Sequence, residues 1–165
     1  MEITVKNMHS GHIPSVLAIE REAFPSPWSE KLFLQELAAV HSQSYVAVTH
    51  PALLEEVVGY ICAWVVHDEC VINKIACHAA CRRSGVGRQL LQHLTYSAYQ
   101  RGASFFSLEA RESNTAAQLL YKKMGFVQAG IRKDYYPETG ENAIVMVLSL
   151  DGLLAGDPDR GLPTV

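Results

Sequence analysis

Residues 70–94 read CVINKIACHAACRRSGVGRQLLQHL, and the periodicity changes inside that stretch. From Cys70 to Cys77 apolar side chains dominate a short run with the composition of a β-strand. From Val86 onward, Leu90, Leu91, Leu94 and then Ala98 recur at helical spacing, with Gly102 placed to follow the helix end. The segment Arg82-Arg83-Ser84-Gly85-Val86-Gly87-Arg88 therefore joins a strand to a helix and opens that helix. Glycines at such a point let backbone N–H groups approach an anion, and the helix N-terminus adds partial positive charge. Arg82, Arg83 and Arg88 supply side-chain charge beside it. No Gly-Lys-Ser/Thr occurs, so this is not a Walker loop, and Leu90 replaces the third glycine of a dinucleotide fingerprint. By residues alone, a phosphate-bearing ligand and an ordinary strand-to-helix turn both remain open.

Upstream of this stretch, Ile3 and Val5 alternate as a short strand. Ile13, Val16, Leu17, Glu20 and Phe24 then fall at helical spacing, with Pro14 where a first-turn proline is tolerated. Pro25-Ser26-Pro27 ends that helix. Ser29 suits the N-cap of a second, and Trp28 before it can staple onto Phe33, ahead of Leu34 and Leu37. Tyr45 to Val48 reads as a strand, and a loop through Pro51 follows. Val57 to Val66 is almost wholly apolar, which predicts a central strand covered on both faces, turning at His67-Asp68 into the Cys70–Cys77 strand. Downstream, Ser104 to Glu109 reads as a strand and Asn114 to Met124 as a helix closed by Gly125. Two more strands are expected at Phe126 to Arg132 and Ala143 to Leu150. Residues 151–165, with Gly152, Gly156, Pro158, Gly161 and Pro163, show no period and are expected to form a flexible tail. The order is strand, two helices, three strands, helix, strand, helix, two strands: an α/β (α+β) domain over 1–150.

Composition excludes several classes. The chain has 165 residues, 48% hydrophobic and 19% charged, with a net charge of −3. That is too apolar for a disordered chain, and no run approaches the roughly 18 residues of a membrane span. With no block of Lys or Arg, direct nucleic-acid binding is not expected. Met1 to Met8 carries no targeting pattern, so a cytoplasmic location is expected. Cys62, Cys70, Cys77 and Cys81 lack the paired spacing of zinc ligands even with His67 and His78 among them; reduced, mostly buried cysteines and no metal are expected.

Arg-x-x-Gly-x-Gly after an apolar strand, in this order of elements, resembles the acetyl-CoA signature of the GNAT N-acetyltransferase superfamily. LEARESNTAAQLLYKKMGF from Leu108 to Phe126, IRKDYYPETGENAIVM from Ile131 to Met146, and AFPSPWSE from Ala23 to Glu30 are similar to the ribosomal-protein-alanine N-acetyltransferases of the RimI type. The resemblance spans about residues 1 to 150. One departure lies at His78-Ala79-Ala80-Cys81, where such enzymes often place a proline and an aromatic; phosphate binding by backbone amides makes that loss mild. The resemblance implies a mixed, mostly antiparallel sheet whose two central parallel strands, ending near Cys77 and Glu109, splay apart. It implies acetyl-CoA as cosubstrate, held by the loop Arg82, Arg83, Ser84, Gly85, Val86, Gly87 and Arg88. Its pantetheine arm would pair with backbone at Ile75, Ala76 and Cys77, and Asn114 would bond that arm.

Acetyl transfer to an amine requires removal of a proton, stabilisation of an oxyanion and a proton for the departing thiolate. Glu109, at a strand end in the apolar setting of Phe105, Phe106 and Leu108, is the candidate base, acting directly or through one water. The structural alternative is a salt bridge to Arg111, Arg101 or a nearby Lys. Tyr121 is the candidate acid, its alternative being a core aromatic on the stripe of Ala117, Leu120 and Met124. Asn114 also suits a helix N-cap, and the Cys77 N–H is the expected oxyanion donor. Phe24, Trp28, Arg132, Tyr135 and Tyr136 resemble the two loops that flank a peptide groove, with both tyrosine hydroxyls able to bond peptide backbone. Glu138 and Glu141 beside them would favour a basic peptide.

The reading is an N-alpha-acetyltransferase, acting as a monomer on a protein N-terminus: the alanine of a small-subunit, basic ribosomal protein. Two alternatives stand beside it: a GNAT acetyltransferase of lysine or small-molecule amines, and a catalytically silent acyl-CoA-binding regulator.

Overall fold

The structure, a computed structural model, describes residues 1–50 and 54–151; the expected tail from Gly152 onward and the loop at Pro51 lie outside the described residues. Along the chain run β1 (Thr4–Asn7), α1 (Ile13–Ala23), α2 (Glu30–Ala38), β2 (Ser42–Thr49), β3 (Glu56–Val66), β4 (Glu69–Cys77), α3 (Val86–Gln100), β5 (Phe105–Arg111), α4 (Thr115–Lys123), β6 (Val127–Tyr136) and β7 (Glu141–Ser149). The strands form one sheet in the order β1-β2-β3-β4-β5-β7-β6. Its neighbours are antiparallel except β4 and β5, which run parallel. No helix of the described residues is long and apolar enough to cross a membrane.

Local chemistry sets the element ends. The Ser29 hydroxyl accepts from the N–H of Leu32 at 3.2 Å and caps α2. Trp28 packs on Phe33 with ring centroids 5.3 Å apart. This is the expected staple, although Leu34 faces solvent and only Leu37 of the later pair packs inward. Gly102 and Gly125 follow α3 and α4 at φ +99° and +94°, a region where a side chain would strain the backbone.

The sheet is covered on both faces. Val86, Leu90, Leu91, Leu94 and Ala98 of α3 pack with Ile61, Ala63, Ile72, Phe106 and Leu108. Ile13, Val16, Leu17 and Ile19 of α1 and Phe33 of α2 pack with Tyr60 and Cys62 on the other face. Successive residues of β3 thus feed opposite cores, as its unbroken apolar run requires. Cys62 and Cys70 are buried and Cys77 and Cys81 half-buried, all four free. Burial pushes the Cys62 and Cys70 thiols up to about 12.

Two boundaries differ from the sequence expectation. β5 continues past Glu109 to Arg111, because pairing with β7 persists to Arg111↔Ala143. β6 continues past Arg132 to Tyr136, so Tyr135 and Tyr136 lie on a strand rather than in a loop. The β6–β7 ladder breaks after Arg132↔Ala143 and resumes at Tyr136↔Glu141. Asp134 takes φ 51° at the break, its N–H donating to Asn142 Oδ1 at 3.0 Å. The polar Lys133-Asp134 pair hides this continuation from periodicity.

Candidate active site between the splayed strands

β4 and β5 are paired at Glu69↔Phe105, Cys70↔Phe106, Val71↔Ser107 and Ile72↔Leu108, and then separate. Each follows its other neighbour: β4 stays on β3 as far as Gly59↔Cys77, and β5 stays on β7. Residues 73–77 consequently present one open backbone edge to a gap. The N–H of His78 donates to Val58 O at 2.9 Å on the β3 side. Since alternate residues of a ladder point opposite ways, the Cys77 N–H turns into the gap. A cleft of about 860 Å³ opens there, between the Phe24–Trp28 segment and the β6–β7 hairpin.

The loop ahead of α3 is shaped for free amides. Gly85 is the N-cap at φ 87° and Arg83 sits at φ 62°. Among the described residues no carbonyl accepts from the N–H groups of Gly85, Val86, Gly87 or Arg88, and the Gly87 backbone lies beside the Cys77 thiol. Burial pushes that thiol up to about 11. Val86 is buried, whereas Arg82, Arg83, Ser84 and Arg88 are exposed. Gly59, which sequence reading passed over, lets this end of the helix sit on the sheet: a Cβ there would lie 2.6 Å from Val86 and 3.0 Å from the Ala76 carbonyl.

Within the cleft, Glu109 of β5 meets Arg132 Nε at 2.8 Å, with Tyr135 beside it in the same lining. The Glu109 carboxylate is the largest cause of a raised Tyr135 pKa. The salt-bridge partner is thus Arg132, and not Arg111, Arg101 or a lysine: side chains from β5 and β6 meet across β7, a proximity invisible in sequence distance. Tyr121 of α4 is 5% exposed and lines the cleft. Burial, then the nearby Cys77 and Tyr136, raise its pKa and keep the phenol neutral. Asn114 caps α4 through Oδ1, which accepts from Ala117 N–H at 3.2 Å, and also lines the cleft.

Two fastenings hold the cleft walls. Glu20, fully buried on the otherwise apolar face of α1, accepts from Lys74 Nζ at 2.9 Å, from the Trp28 N–H at 2.7 Å and from the Tyr60 hydroxyl. The Lys74 ammonium also stands 3.7 Å over the Phe24 ring. On the opposite wall Arg111 binds Glu138 and Glu141 and lies 3.9 Å over the Tyr136 ring. Both glutamates are therefore paired with Arg111 while still lining the cleft. A carboxylate among Val16, Leu17 and Phe24 was the available signal for the first fastening. Nothing local signalled the second.

The model of the acetyltransferase (GNAT) family matches residues 13–126. The chain belongs to the GNAT acetyltransferase family. Curated relatives named [ribosomal protein bS18]-alanine N-acetyltransferase share 35% identity over 151 residues in Escherichia coli and 34% over 149 in Salmonella typhimurium, each covering 89% of this chain and 97% of the relative. The crystal structure of the ribosomal-protein-S18-alanine N-acetyltransferase from Escherichia coli superimposes with a TM-score of 0.81 at 31% identity, covering 97% of this chain and 99% of that one. The GNAT fold and the N-acetyltransferase assignment read from the sequence both stand.

In this acetyltransferase the cleft collects Phe24, Trp28, Ile75, Glu109, Asn114, Tyr121, Arg132, Tyr135 and Tyr136. Ala76, Cys77 and the Arg82–Arg88 loop lie outside its lining. The Ala76 side chain is buried in the core on the α1 side, so only its backbone is available to a ligand.

Proposed function

We propose that this acetyltransferase moves the acetyl group of acetyl-CoA to the α-amine of a protein N-terminus, the alanine of ribosomal protein bS18. The observation that carries the reading is a single cleft lined by both a carboxylate, Glu109, and a neutral phenol, Tyr121, along the open edge of β4. The residues fit the cosubstrate. The N–H groups at the start of α3 that no carbonyl accepts suit a pyrophosphate, the open edge at Ile75 to Cys77 suits an extended amide-bearing arm, and Asn114 lines the same cleft as Ile75. The curated relatives carrying that substrate in their names align over most of the chain.

Each residue then has one task. Glu109, directly or through one water, takes a proton from the α-ammonium, and the free amine then forms the new C–N bond at the thioester carbonyl. The Cys77 N–H steadies the oxyanion, and Tyr121 gives its proton to sulfur as the C–S bond breaks. Trp28 and Phe24 on one side and Tyr135 and Tyr136 on the other wall the path of the incoming chain end. The net charge of −3 suits a basic ribosomal partner. Such a partner places this monomer in the cytoplasm, with no need of direct nucleic-acid contact.

An α-amine has a reference pKa of about 8 and a lysine amine about 10.4, so the former needs less help from Glu109. A basic peptide starting with alanine should be acetylated faster than the same peptide with a blocked N-terminus and a free internal lysine, as read by mass. The reverse preference makes the enzyme a lysine acetyltransferase. Gly87→Val should raise the acetyl-CoA dissociation constant at least tenfold, about 1.4 kcal/mol. Its branches crowd the amides, and a Cβ there already lies 3.0 Å from Leu120 of α4. Unchanged affinity by calorimetry in a folded variant removes the loop from the binding site.

A further inference from the structure

The general base of this enzyme already has a cation on it. Arg132 Nε lies 2.8 Å from Glu109 Oε1, yet the arginine side chain is 59% exposed, and it is the last paired residue of β6 before the ladder breaks. Tyr135 lines the cleft beside the same carboxylate. When Glu109 acts directly, an incoming peptide brings its α-ammonium to this carboxylate to surrender a proton. Guanidinium and ammonium are both hydrogen-bonding cations, and two cations do not share one carboxylate edge without repulsion. We infer that Arg132 is an internal stand-in for the substrate ammonium. It holds the Glu109 carboxylate in place while the groove is free of peptide, and is displaced when the chain end arrives.

Displacement is physically easy. An ion pair with one partner mostly in solvent is weak, and the exposed arginine regains hydration as it leaves. Arg111, by contrast, is locked by Glu138, Glu141, Thr139 and the Tyr136 ring, so the wall behind Arg132 stays in place when Arg132 swings. Arg132 is then a specificity-determining group: it admits a ligand that replaces its own positive charge and gives no such exchange to a neutral chain end.

This inference rests on the N-terminal reading above, and the test separates the two. Two peptides are compared by calorimetry on the CoA-bound enzyme: one beginning with alanine, and its des-amino counterpart beginning with a propionyl group. Arg132→Gln should bind the alanine peptide about three- to tenfold more tightly than the unsubstituted enzyme does, because the competing cation is gone. The propionyl peptide should bind both forms alike, and Arg132→Lys, which keeps a cation, should stay near the unsubstituted enzyme. Weaker binding of both peptides to Arg132→Gln would make Arg132 a direct peptide contact. An equal gain for both, or no gain, would make it a surface ion pair only. Either result overturns the stand-in role. Turnover of the alanine peptide by the unsubstituted enzyme is measured alongside: absence of turnover removes the functional reading and the inference with it, whereas turnover without the differential removes the inference alone.

Discussion

Tyr121→Phe should lower kcat about 100-fold or more while the acetyl-CoA dissociation constant stays within about twofold, since a positioned general acid is worth 10²–10⁴. The substitution removes one oxygen from a side chain that is 5% exposed and packs against Phe126 with ring centroids 6.0 Å apart, so the ring's place in the core is kept. Its raised pKa sharpens the expectation. Burial disfavours the phenolate, so the proton is present across the neutral range and no ordinary rise in pH mimics the mutation. Single-turnover acetyl transfer should slow with product release unaffected. A variant with near-normal turnover would leave the fold intact and take Tyr121 out of the chemistry.

Lys74→Met should destabilise the protein by about 2–4 kcal/mol, because deleting one partner of a buried pair strands the other charge. Glu20 has no exposed surface and the Lys74 side chain is 14% exposed, so water replaces the lost ammonium poorly. The Trp28 N–H and the Tyr60 hydroxyl still donate to Glu20, which keeps the loss below that of an unpartnered carboxylate. In a chain of this size that corresponds to a fall in Tm of about 5–15 °C by calorimetry. A second readout distinguishes local from global effects. Lys74 also stands over Phe24 and Trp28, so the Phe24–Trp28 wall should loosen, and KM for the peptide should rise more than KM for acetyl-CoA. An unchanged Tm would mean that Glu20 needs no cation.

Much of the architecture was legible before any coordinates because its signals are local. Ser29 and Asn114 at their caps, Trp28 on Phe33, and glycines following the two later helices each depend on a few neighbouring residues. The unbroken apolar run of β3 declared a strand buried on both sides. Glu109 and Tyr121 were named from the family resemblance, and the structure places both in one cleft; residue chemistry alone favoured an ion pair for the first and a core ring for the second.

The sequence by itself determined the order of elements, the family, and the glycine loop that opens α3. Tertiary structure alone decided which charges meet. Arg132 reaches Glu109, Lys74 reaches Glu20, and Arg111 gathers Glu138 and Glu141. These partners are separated by 23 to 54 positions along the chain. Helical and strand periods report only what one segment does with its own faces, within a turn or two. Which side chain stands opposite another across a sheet depends on strand order and register, and here on a break in the β6–β7 ladder at Asp134 that no local pattern announces.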